Sequence, residues 1–125
     1  MIRRTLILLP LLLSLGACAK QIATPTEQDA CFEAVPHKDG SVAFQRLTQH
    51  EATMESCAGA LEGMRERFLG LGGSRHNLIG TYNGHYLFLG PAGVQTSDSF
   101  DGVRYPFLVR SDDGRLIAAG ADTTQ

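Results

Sequence analysis

Hydrophobic positions change their rhythm three times along the chain. Residues 5–15 (TLILLPLLLSL) form one continuous apolar run. From Met54 to Phe68 the apolar residues Met54, Cys57, Leu61, Met64 and Phe68 recur at steps of three and four, the spacing of one helix face. Thr53 is placed to cap that helix, Glu55 to favour its N-terminal dipole, and Arg65 and Arg67 its last turn. Gly70, Gly72 and Gly73 end it. Elsewhere the period is two. Ser41 to Leu47 alternates and predicts a strand. NLIGTY-NG-HYLFLG predicts a hairpin, because Asn83-Gly84 suits a two-residue turn in which both residues take positive φ. That register sets Tyr82 against His85 and Thr81 against Tyr86. Arg104–Arg110 and Arg115–Ala119 read as two further strands around Ser111-Asp112-Asp113-Gly114. Residues 29–35 (DACFEAV) read as a short helical turn.

The predicted class is α+β. One main helix packs on a small antiparallel sheet of about four to five strands, in a single domain over residues 29–125. One helix cannot cover both faces of such a sheet. The hairpin nevertheless carries apolar residues on both: Leu78, Tyr82, Leu87 and Leu89 with His85, against Ile79, Tyr86 and Phe88 with Thr81. Either the sheet curls and residues 29–40 cover the second face, or an apolar patch is left for a partner. Tyr82, His85, Tyr86 and Phe88 are the candidate interaction residues, since aromatic side chains anchor interfaces disproportionately. Gly59 and Gly63 form a small-residue ridge on the helix, which suggests close approach by another segment.

The apolar run at 5–15 follows Arg3 and Arg4 and is too short to span a bilayer, which takes about 20 residues. It has the layout of an export signal. Leu15-Gly16-Ala17-Cys18 closes it and resembles the lipobox of bacterial lipoproteins. The resemblance covers residues 1–18 only. It implies that residues 1–17 are a cleaved signal peptide and that Cys18 carries the lipid, with palmitate among its usual acyl chains. It also implies that residues 18–28 are a lipidated flexible tether. Ala19, where aspartate would favour the inner membrane, implies the outer membrane and a domain facing the periplasm.

Lipidation of Cys18 leaves Cys31 and Cys57, an even pair in an oxidising compartment. A disulfide between them closes a loop of about 26 residues, with a loop-closure entropy of ~3.5 kcal/mol. Eleven basic and 13 acidic residues give a net charge of −2, and losing Arg3 and Arg4 with the signal takes it to −4. That balance offers nucleic acid no electrostatic attraction.

No arranged chemistry stands out. His37, His50, His76 and His85 are scattered and no HExxH occurs, so no metal ligand, cofactor or catalytic residue is assigned. Gly72-Gly73-Ser74-Arg75-His76 departs from a nucleophile elbow, with His76 where the second glycine belongs. Asp98 and Asp101 lack the ligand alternation of a calcium loop. Asp101-Gly102-Val103-Arg104-Tyr105 is similar to the Ser-Gly-x-x-Tyr stretch of periplasmic lysozyme inhibitors, with Asp101 in place of the serine. The expectation is a non-enzymatic, membrane-anchored envelope lipoprotein that binds an envelope protein partner as an accessory module. The alternatives are a binder of a small envelope ligand such as a peptidoglycan fragment, or a lysozyme inhibitor.

Overall fold

A computed structural model describes residues 22–74 and 76–120. The signal segment and Cys18 lie outside the described residues. Seven strands and one helix follow in the order β1 (Cys31–Pro36), β2 (Val42–Thr48), α1 (Met54–Gly70), β3 (Leu78–Tyr82), β4 (His85–Gly90), β5 (Gly93–Ser97), β6 (Tyr105–Arg110) and β7 (Leu116–Ala118). They form one antiparallel sheet, ordered β2-β1-β3-β4-β5-β6-β7.

The expected sheet of four to five strands is therefore too small, and the described residues are mostly seven-stranded sheet with a single helix. Two elements account for the difference. Residues 31–36 are not a helical turn but strand β1, held between β2 and β3. Both faces of β1 are buried, with Cys31 and Glu33 on one and Phe32 and Ala34 on the other. A strand covered on both sides loses the polar alternation that would identify it. It follows that residues 29–40 do not cover the second face, because half of them form β1 within the sheet and the rest are its flanking turns. Strand β5, VQTS after a glycine, offers too few apolar positions to read as a strand. Its entry requires glycine: Gly93 has φ 141°, and a Cβ there would lie 2.3 Å from the Leu108 carbonyl oxygen.

The β3–β4 hairpin has the expected register, with Tyr82 opposite His85 and Thr81 opposite Tyr86. Asn83 (φ 46°) and Gly84 (φ 81°) both take positive φ in the turn. Asn83 also ties the turn to the start of β1. Its Oδ1 accepts from the Asp29 backbone N–H at 2.7 Å, and its Nδ2 donates to Asp29 Oδ1 at 3.1 Å.

Thr53 caps α1, accepting from the Ser56 backbone N–H at 3.1 Å, while Ser56 completes the reciprocal half of the capping box. The helix packs on β1, β2, β3 and β4, with Cys57, Ala58 and Leu61 on its buried face. Its closest approach is to Gly80 of β3, where a Cβ would meet Leu61 Cδ1 at 2.2 Å and the Phe32 carbonyl oxygen at 2.9 Å. Gly59 and Gly63 have open space above them, so the close approach expected there occurs at Gly80 instead. The Cys31–Cys57 disulfide joins β1 to α1 across a Cα–Cα distance of 5.3 Å.

The buried stripe of α1 is turned from the one its apolar residues predict. Phe68 is 43 % exposed, whereas Glu62 and Arg65 are buried. Glu62 Oε1 accepts from Arg65 Nη1 at 3.1 Å and lies 2.9 Å from Arg110 Nη1 of β6. Arg65 Nε donates to the His76 carbonyl at 2.7 Å. Arg110 donates to the carbonyls of Gly90, Pro91 and Gly114. One carboxylate thus links the helix to the far half of the sheet, beyond the strands that α1 packs on directly.

Two stability predictions follow from these links. Replacing both bridge cysteines with alanine should lower the unfolding free energy by about 3 kcal/mol in urea denaturation. A loss under about 1 kcal/mol would mean that the loop is already constrained without the bond. Glu62→Ala leaves the buried Arg65 and the half-buried Arg110 without their carboxylate and should cost about 2 kcal/mol, whereas Glu55→Ala on the exposed first turn should cost well under 1. Equal losses would show that the triad behaves as a surface pair.

Candidate functional site

Strand pairing aligns the residues of the helix-free face in two rows. One row is Arg46, Phe32, Thr81, Tyr86 and Ser97, running from β2 to β5. The other is Phe44, Ala34, Ile79, Phe88, Gln95 and Pro106, running from β2 to β6. Alternation sends all of these side chains away from α1.

The first row is covered locally. The Phe100 ring meets Tyr86 edge-on at 5.7 Å, and Tyr86 stacks with Phe88 at 6.2 Å. Arg46 lies 5.9 Å over Phe32 and donates through Nε to Glu27 at 2.9 Å. Residues 22–28, read from the sequence as part of a free tether, thus run against the domain. Ile22 and Ala23 border a hollow with Val42 and Phe44. Inside this row the hydroxyls of Thr81 and Tyr86, opposite each other in the sheet, are buried without a protein hydrogen-bond partner.

The second row is the floor of an open cleft of about 550 Å³. Ile79, Phe88, Gln95, Pro106 and Val109 line it, with Asn77 at one end and Arg104 at its wall. The Arg104 guanidinium sits 3.7 Å over the Phe88 ring, a cation–π stack. A second hollow of about 260 Å³ shares Asn77, Leu78 and Ile79 with the cleft and continues it to Ala34 and Pro36.

The four hairpin residues expected to make contacts divide between the two faces. Tyr82 is 6 % exposed in the helix-side core, where its hydroxyl donates to the Glu51 carbonyl at 2.6 Å. Tyr86 (1 %) and Phe88 (7 %) are buried on the helix-free face. His85 alone is exposed, its Nδ1 3.0 Å from Asp98 Oδ1. None of the three aromatic rings presents a free surface. The residues that border open space are instead Ile79, Gln95, Arg104 and Val109. Only Arg104 carried a sequence signal, through the five-residue stretch that also holds the exposed Asp101 and Tyr105.

Among the described residues no three His, Cys, Asp or Glu side chains converge as metal ligands, and no helix is long and apolar enough to cross a membrane. The site offers an apolar floor, two side-chain amides and one guanidinium, which is binding chemistry.

Burial, with Asp101 nearby, pushes the Tyr86 phenol above its ordinary pKa, and burial beside Asp29 does the same for Tyr82. The unfolded chain, with phenols near pH 10, therefore loses these protons first, and stability should fall as pH rises past about 10. Tyr86→Phe removes an unpartnered hydroxyl. It should leave the melting temperature unchanged or slightly raised at pH 7 and weaken the alkaline loss. A clear drop in melting temperature at pH 7 would show that the hydroxyl has a stabilising partner. In comparisons with known proteins, no family model, no curated protein and no solved structure matches this chain.

Proposed function

We propose that the chain is a lipid-anchored protein of the bacterial envelope, held at the outer membrane through Cys18 and facing the periplasm. It acts by binding rather than by catalysis, and the helix-free face of the sheet is its binding face. The observation that carries this reading is the cleft beside Arg104: an open, largely apolar hollow with a few polar groups, in the size range of small-ligand sites. The Cys31–Cys57 bridge supports export, since such bonds persist in oxidising compartments. The charged, apolar and lipobox segments at residues 1–18 support the anchor. Two acyl chains or more would make that anchorage stable.

An accessory module that binds another envelope protein is the second reading. Val103 (69 % exposed) and Tyr105 (60 %) favour it, because they flank Arg104 as large hydrophobic side chains open to solvent.

The anchor is tested in bacterial cells given an alkyne-bearing palmitate. The wild-type chain should take up the label, sediment with membranes and show a mature N-terminus at residue 18 by intact mass. Cys18→Ala should abolish all three. A wild-type chain that stays unlabelled, or a Cys18→Ala variant that remains labelled, refutes the anchor.

A further inference from the structure

We infer that the helix-free cleft binds a long-chain carboxylate, an amphiphile of the fatty-acid class. Its carboxylate pairs with Arg104, and its alkyl chain lies in the cleft against Ile79, Pro106 and Val109. This rests on the reading of that face as the binding face and is independent of the anchor.

Charge selects an anion. The chain carries more acidic than basic residues, yet no carboxylate lines the larger cleft. Arg104 has no hydrogen bond or ion pair among the described residues, although it is fixed in place over Phe88. A stacked guanidinium uses its face and leaves its N–H edge free for a carboxylate, which it matches in geometry. The site is thus oriented for an anion before any ligand arrives, which reduces the ordering cost of binding.

The floor selects an alkyl body. Beside the Arg104–Phe88 stack the cleft is bordered by the partly exposed side chains of Ile79, Pro106 and Val109. Three strand spacings separate β3 from β6, roughly 14 Å across the sheet. Strands β1, β3, β4 and β5 each have a neighbour on both sides, so their backbone groups are already paired. A peptide laid across them would find two side-chain amides, Asn77 and Gln95, for its N–H groups, and the Arg104 edge besides these for its C=O groups. Buried amides left unpaired are costly. An alkyl chain has no such groups and gains from covering Ile79, Pro106 and Val109.

The test uses the full chain, purified and reconstituted in lipid nanodiscs. A diazirine-bearing hexadecanoic acid is added, the sample irradiated, and labelled residues mapped by mass spectrometry. Label should concentrate within residues 77–95 and 104–109, and excess hexadecanoate should suppress it. Hexadecanol and the peptide Ala-Leu-Leu, which carries a free carboxylate, should not. Arg104→Gln should reduce labelling at least tenfold. Val109→Trp, which fills the floor from β6 without touching the Arg104–Phe88 stack, should do the same with an unchanged melting temperature. Labelling that is indifferent to both variants overturns the site. Equal competition by hexadecanol removes the carboxylate contact, and equal competition by the peptide removes the alkyl assignment. A chain that is not acylated at Cys18 but is labelled as expected defeats the anchor and leaves this assignment intact.

Discussion

Leu61 of the helix rests over Gly80 of strand β3, and that contact decides which face of the sheet is free. Any side chain at residue 80 would push into Leu61 and toward the Phe32 carbonyl. Because glycine stands there, α1 comes down onto β1, β3 and β4, and Cys57 arrives within bonding distance of Cys31. The bridge then fixes the helix to one side. A helix of 17 residues cannot wrap a seven-stranded sheet, so the opposite side must be covered by other means or stay open. Phe100 and residues 22–28 cover the Phe32–Tyr86 row. On the Ile79–Pro106 row Arg104 covers Phe88, while Ile79 and Pro106 keep open surface, and the cleft lies there.

The far strands share the apolar core through Val94 and Leu108, and one charged contact adds a direct link to the helix. Glu62 reaches from α1 to Arg110 on β6, and Arg110 reaches on to carbonyls in the β4–β5 and β6–β7 turns. One side chain therefore supports both turns that flank the cleft floor. A buried triad of this kind contributes less net stability than its contacts suggest, because each ion gives up its hydration. Its value here is positional: it sets where β5 and β6 lie relative to β4, and so sets the shape of the cleft.

Local signals made part of this legible in the sequence. The helix, its Thr53 cap, the Asn83-Gly84 turn and the Cys31–Cys57 pairing each rest on residues close in sequence or few in number, and each is found in the structure. The misreadings share a cause, which is that burial is decided by distant partners. Strand β1 is buried on both faces by β2, β3, α1 and the aromatic row, and so shows no alternation. Strand β5 exists because Gly93 lets β6 approach, a fact that belongs to Leu108 as much as to residue 93. The helix turns Phe68 outward because Glu62 and Arg65, on the buried side, find partners in Arg110 and the His76 carbonyl. Periodicity counts those two residues as polar and assigns them to solvent. The hairpin aromatics were recognisable as important, but their spacing could not distinguish a ring that packs inside a face from one that presents it.

The central claim is that α1 closes one face of the sheet and leaves the cleft row of the other open. It is tested most directly by methyl NMR of the anchored protein in the presence of a soluble nitroxide. Ile79 and Val109, on the open row, should relax strongly, while Leu61 and Leu87, on the helix side, should remain protected. Equal protection of all four methyl groups would mean that another part of the molecule covers the cleft, and the account of a free binding face would be wrong.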